Sequence, residues 1–233
     1  MIPQKQLSLA DIFEDCKDIY ESDKPQFLTL LENHIDLDKI IPTSFYKHYY
    51  ASTGRNRKYP LNAMLWALII QRLFSIPTDS LLLIFLHYSR HLREFCGFTK
   101  VPDASKITRF KQDFLMDLQS VFDNLVDITE PICQDIDGNL ASMLLFDTSG
   151  IEAYPGVERG SQEWDDTYKI RVNVEKSINH FKDSFCVANR KTTNEKTLHA
   201  DLLLAGISQL LTVVVADKIH QRQYISSLKS FIA

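Results

Sequence analysis

The chain has 233 residues, 45% of them hydrophobic and 24% charged, with a formal net charge of −4. That composition supports one large globular domain or two small ones, and seven glycines and eight prolines exclude collagen-like and linker-dominated architectures. Four scattered cysteines, Cys16, Cys96, Cys133 and Cys186, form no CxxC pair and exclude a disulfide framework and a zinc ribbon.

Met1-Ile2-Pro3-Gln4-Lys5-Gln6 does not read as a signal peptide. The longest apolar run, Leu81 to Leu86, falls far short of the about 20 residues of a membrane span. A reduced, cytoplasmic protein with no membrane partner is expected.

In chain order, residues 1–24 are acidic and weakly periodic, and Asp11-Ile12-Phe13 is a candidate helix start. Pro25 stands where a first-turn proline would, ahead of Phe27, Leu28, Leu30 and Leu31, and Pro42 breaks the chain again. Residues 52–58 read as a polar, basic loop. From Pro60, Leu61, Met64, Leu65, Leu68, Ile69 and Leu73 follow helical spacing, with Trp66 among the core positions. Thr78 or Asp79 caps a second helix that carries Leu82, Leu83, Phe85 and Leu86, then His87, Arg90, His91 and Arg93, and closes at Gly97. A third helix begins near Ser105 on a face of Phe110, Phe114, Leu118, Phe122 and Leu125, with Pro131 beyond its end. Ile136-Asp137-Gly138-Asn139 is a turn signal. A strand pair is expected near 140–154, a loop over 155–167, and helices near 168–185 and 195–225.

Charge is unevenly spread. Residues 41–111 have a net charge of +8, whereas residues 112–170 have −11. The basic block is an electrostatic footprint that a phosphate backbone would attract. Its candidate DNA contacts are Arg55, Arg57, Lys58, Arg90, Arg93, Lys106, Arg109 and Lys111.

Two constellations bear on catalysis. Asp147 follows the apolar run Met143-Leu144-Leu145-Phe146, a place for a metal-ligating carboxylate at a strand end, or for a turn-starting Asp that caps Ser149 or Gly150. Tyr168, Arg171, Glu175 and Lys182 are spaced to share one helix face. They read either as a metal-holding Glu flanked by phosphate-binding cations or as a solvated face of i,i+4 pairs. His87 and His91 have the i,i+4 spacing of a helical metal pair, but no third ligand follows, and a surface or DNA-facing role is the plainer reading. Neither a phosphate-binding GxxxxGK[ST] loop, a GxSxG elbow nor a dinucleotide fingerprint occurs.

Tyr168, Arg171, Glu175 and Lys182 match every spacing of the Y-R-E-K signature of DDE insertion-sequence transposases, and Asp147 resembles the first catalytic aspartate of those bacterial enzymes. Arg55-Asn56-Arg57-Lys58-Tyr59-Pro60-Leu61, Phe95-Cys96-Gly97-Phe98 and the stretch Val101 to Phe110 are similar to their N-terminal helical DNA-binding domain. The resemblance implies metal-dependent DNA strand cleavage and transfer. Asp147 and Glu175 would hold Mg²⁺, Arg171 and Lys182 would contact phosphate, and the partner would be double-stranded DNA at element ends.

The family's second aspartate, in a D-x-G-[YF] string, is absent. Only 27 residues separate Asp147 from Glu175, whereas the intervening strands and helix of an RNase H-like core need well over about 40. Asp165 and Asp166 are the nearest substitutes.

The expected fold is therefore mostly α with a small β element. Residues 1–130 would form a helical, DNA-binding-type domain and residues 131–233 a truncated RNase H-like catalytic remnant. The expected function is that of a transposase-derived DNA-binding protein whose catalysis is lost. The alternatives are an enzyme that completes its site in trans or with Asp165 or Asp166, and an inhibitor that pairs with a full-length transposase. Apolar surface left by the shortening would favour homo-oligomers.

Overall fold

Most helices in the first half of the chain start where the sequence supplies a proline or a capping side chain. The computed structural model describes residues 25–51, 56–141, 161–162, 179, 185 and 194–225. Pro25, Pro42 and Pro60 each stand at the N-cap, ahead of α1 (Gln26–His34), α3 (Thr43–Tyr49) and α4 (Leu61–Leu73). Here the fixed φ of proline is already compatible with helix entry. Asp36 caps the short α2 (Leu37–Ile40) by accepting from the Asp38 amide. Thr78 accepts from Leu81 N at 3.2 Å and opens α5 (Asp79–Tyr88).

Ser89 divides what reads in sequence as one helix. Its extended backbone ends α5, and its hydroxyl accepts from Leu92 N at 3.2 Å to start α6 (Arg90–Cys96). A mid-pattern serine that caps forward competes with helix continuation. Asp103 caps α7 (Ala104–Asp113) by accepting from Lys106 N at 3.1 Å. Asn194 does the same for α9 (Glu195–Lys218) through Thr197 N at 3.0 Å.

The longest element, α8 (Leu115–Ala141), differs from expectation in two ways. It runs through Pro131, and it bends at Asp137, whose φ of −157° and ψ of 95° are not helical. Proline removes one bond to the carbonyl four residues back. That residue, Asp127, is exposed, so water can satisfy the carbonyl. The bend coincides with the turn signal at residues 136–139. Residues 140 and 141, expected to open a strand, instead end α8. The remainder of the expected strand pair and the helix near 168–185 lie outside the described residues, apart from Asn179 and Phe185. Among the described residues every regular element is helical.

The expected boundary at residue 130 falls inside α8, and α9 packs most extensively on α8, then on α4 and α7. One core joins them: Leu31, Phe45, Leu68, Ile107, Leu118 and Leu125 bury alongside Leu204, Leu211 and Val215 of α9. Each fully buried leucine contributes about 1.5–3 kcal/mol. α9 shares in the core of the N-terminal helices. Its 24 residues and an 18-residue stretch of mean hydropathy 1.7 meet the length and composition of a membrane span, but 72% of that stretch is buried inside the protein. Gly206 makes the α8–α9 contact close, because a Cβ there would lie 2.7 Å from the Phe122 ring.

Candidate nucleic-acid interface

α6 and α7 are joined through Gly97, whose φ of +83° is the left-handed conformation that glycine adopts without strain. Gly97 N donates to Glu94 O at 2.9 Å and Phe98 N to Arg93 O at 3.0 Å, which satisfies the end of α6 and turns the chain sharply. The chain then enters α7 at its Asp103 cap. The hydrogen bond from Ser105 holds the Asp103 carboxyl below the usual carboxylate range.

α7 divides into two faces. Ile107, Phe110, Lys111 and the following Phe114 point into the core, whereas Ser105, Lys106 and Arg109 are exposed. Lys106 and Arg109, three residues apart, share one side of the helix. Asp113, one turn beyond Arg109, is exposed as well.

The loop before α4 lies alongside α7. Arg57 Nε donates to Tyr49 O at 3.1 Å, and its guanidinium carbon sits 5.2 Å from the Tyr49 ring centroid and 5.1 Å from that of Phe114. Tyr49 Oη donates to Tyr59 O at 2.8 Å, and the Tyr59 and Phe98 rings meet edge to face at 6.2 Å. Residues 57–59 therefore run from the C-terminal end of α7 to the segment that precedes it. The aromatic cluster of Phe45, Tyr49, Phe110 and Phe114 fixes this strap. Cation–π contact and a backbone hydrogen bond hold Arg57 in one place. Lys58 lies over Tyr59 at 5.7 Å and is exposed. Arg57 thus stands against Phe114 at the C-terminal end of α7, Lys58 follows it in the strap, and Lys106 and Arg109 are exposed on the helix, with exposed Lys100 in the connection.

Three other candidate contacts have different surroundings. Arg90 is exposed and paired with Glu94 at 2.8 Å. Arg93 is half-buried and donates to Leu86 O at 3.2 Å and His87 O at 3.1 Å, tying α6 to the end of α5. Lys111 is fully buried, which corrects the expectation that it faces phosphate. Its Nζ lies 2.8 and 3.0 Å from the Asp79 carboxylate oxygens and 2.9 Å from Asp201 Oδ1. Arg55 lies outside the described residues.

Lys111 belongs to a buried charge network that sequence reasoning missed. Arg72 of α4 pairs with Asp201 of α9, both fully buried, and its Nη1 donates to Phe185 O at 3.3 Å. Gln71 Nε2 donates to Asp79 Oδ1 at 3.0 Å. The buried cations Arg72 and Lys111 are balanced by buried Asp201 and by Asp79 at the edge of the core, as the cost of burying charge requires. A signal for it existed, because Arg72 and Asp201 each interrupt an otherwise apolar helix stretch.

His87 and His91 lie on different helices, so their spacing does not stack them, and no cluster of three or more His, Cys, Asp or Glu residues stands ready for a metal among the described residues. His48 Nδ1 meets Asp117 Oδ2 at 2.8 Å and its ring packs edge-on to Phe114. Trp66 is half-buried against the core, edge to face with Phe95. Asp147, Tyr168, Arg171, Glu175 and Lys182, with Asp165 and Asp166, lie outside the described residues.

Searches of curated proteins and of solved structures give no match to the chain. A family model does match residues 16–113, a span that takes in α1 and ends on the last residue of α7. Its description is Transposase domain (DUF772), which supports a transposase-family protein.

Proposed function

We propose that the chain is a transposase-derived protein that binds double-stranded DNA through α7 and the strap at residues 56–60. The observation that carries this reading is the placement of Lys106 and Arg109 on the outer face of a capped helix, with the Arg57 guanidinium held against Phe114 at the end of that helix. A helix is narrow enough to enter a major groove, where Ser and Arg side chains reach base edges while flanking cations meet phosphates. Four phosphate contacts would lower affinity about 150-fold between 50 and 200 mM salt.

Strand transfer is lost on this reading. Asp147 and Glu175 are two carboxylates where a two-metal site uses three, and the 27 residues between them are too few for the missing strand. Mg²⁺ chemistry is therefore not part of the proposed activity.

The test is selection of duplexes from a randomised 20-base-pair pool by the full chain at 50 mM salt. Retention of DNA, with a recovered sequence preference, is expected. No retention at that salt overturns the DNA-binding reading. Supercoiled plasmid with Mg²⁺ or Mn²⁺ tests the second part: intact plasmid is expected, and nicking that vanishes with Asp147→Ala refutes the loss of catalysis.

A further inference from the structure

We infer that Asp201 is a positioning residue for the DNA-reading helix: delivered by α9 from outside the matched span 16–113, its carboxylate fixes the rotation of α7 by gripping Lys111. The inference rests on the DNA-binding reading above. Lys111 Nζ and Asp201 Oδ1 are 2.9 Å apart, with both side chains fully buried. Lys111 also meets Asp79 on α5, and Arg72 on α4 shares the Asp201 carboxylate. At the next residue of α7, Gln112 Nε2 donates to Thr197 Oγ1 at 3.0 Å, one turn earlier on α9.

Successive residues project about 100° apart around a helix, so ties at 111 and 112 together resist rotation about the α7 axis. The apolar contacts of Ile107 and Phe110 are non-directional and tolerate small rotations, whereas charge-assisted hydrogen bonds do not. Rotation matters because Lys106 and Arg109 ride on the same helix. A turn of about 20° displaces a side-chain head about 6 Å from the axis by about 2 Å, enough to lose a hydrogen bond to a base edge. Lys111 thus serves DNA binding from inside the protein rather than by touching phosphate.

The experiment compares the full chain carrying Asp201→Asn with one carrying Leu211→Ala. Leu211, fully buried on the same helix, supplies a destabilised control with the charge network intact. Amide hydrogen exchange across α7, duplex affinity and melting temperature are measured where both variants are folded. Asp201→Asn is expected to speed α7 exchange and weaken binding about tenfold, as when the competent orientation is held one-tenth of the time. Leu211→Ala should stay within about twofold of wild type in affinity even where its melting temperature falls as far. Asp201→Glu should recover part of the affinity.

Equal loss of affinity in both variants at equal loss of stability overturns the inference, as does wild-type exchange and affinity in Asp201→Asn. Should Asp201→Asn fail to fold, Thr197→Val removes the Gln112 tie together with the hydroxyl's bond to the Asn194 cap of α9 and leaves the charge network in place. Faster α7 exchange with binding about threefold weaker is then expected, and wild-type α7 exchange and affinity refute the claim. If the wild-type chain binds no duplex, the DNA-binding reading fails, and faster α7 exchange in Asp201→Asn than in Leu211→Ala still upholds the positioning role of Asp201 within the fold.

Discussion

Lys111→Met separates two roles for a lysine that stands five residues from Lys106 on the same helix. Methionine keeps the length and apolar stem of the side chain, so the loss is confined to the ammonium group. Asp201 keeps Arg72, and Asp79, whose side chain is 18% exposed, keeps Gln71 and access to water. Breaking a buried pair by removing one partner costs about 3–5 kcal/mol. Because both carboxylates keep a partner, the lower end, about 3 kcal/mol, applies. For a protein of this size each kcal/mol shifts the midpoint by about 2–4 °C, so the melting temperature should fall by about 6–12 °C. Calorimetry at pH 7 reads the shift, with Lys106→Met as the exposed control that should barely move it. A fall of less than about 2 °C in Lys111→Met would refute the buried network as a source of stability.

Other outcomes follow from single sites. Gly97→Ala should cost about 1 kcal/mol in urea unfolding, because no atom stands within 4 Å of the added Cβ and only the left-handed φ of +83° opposes it; Gly97→Asn should cost less. Burial pushes the Tyr49 phenol up to about 12 from an ordinary value of 10.0, with Tyr50 adding to the shift. The stability this group contributes is complete below about pH 10 and is lost as pH rises towards 12. Tyr49→Phe should therefore flatten the alkaline limb of the unfolding curve, and an unchanged limb counts against Tyr49 as its cause. Burial also pushes the Cys96 thiol up to about 12, so it should resist iodoacetamide at pH 8 until the chain unfolds; alkylation of Cys96 in the folded protein contradicts its placement in the core.

Local chemistry was the legible part of the fold. Thr78 and Gly97 lie at helix ends where a short polar side chain or a left-handed residue has one good use, and the structure uses them so. Ser89 was harder, because a serine inside an apolar helical pattern either continues the helix or caps the next one, and periodicity does not decide between them. Pro131 misled for a related reason: the rule concerns one lost hydrogen bond, and an exposed carbonyl tolerates that loss.

Lys111 could have been placed correctly from spacing alone. It falls four residues after Ile107 and three before Phe114, on the inward face, whereas Lys106 and Arg109 fall on the outer one. The docking of α9 was not legible, since the Arg72–Asp201 pair spans 129 positions and follows from tertiary packing rather than any local pattern. Strap residues Arg57 and Lys58 were found as charge, but the rings that hold Arg57 come from α3 and the end of α7, a contact with no sequence signature.

The most direct measurement of the account is the salt dependence of duplex binding by the wild-type chain and by Lys106→Ala/Arg109→Ala, followed by fluorescence anisotropy from 50 to 200 mM salt. The wild-type plot of log affinity against log salt should be a steep line, and the double variant should bind more weakly with a slope shallower by about 0.9 for each phosphate contact removed. Superimposable lines for the two proteins, or a wild-type affinity indifferent to salt, would contradict the assignment of α7 as the DNA-reading helix.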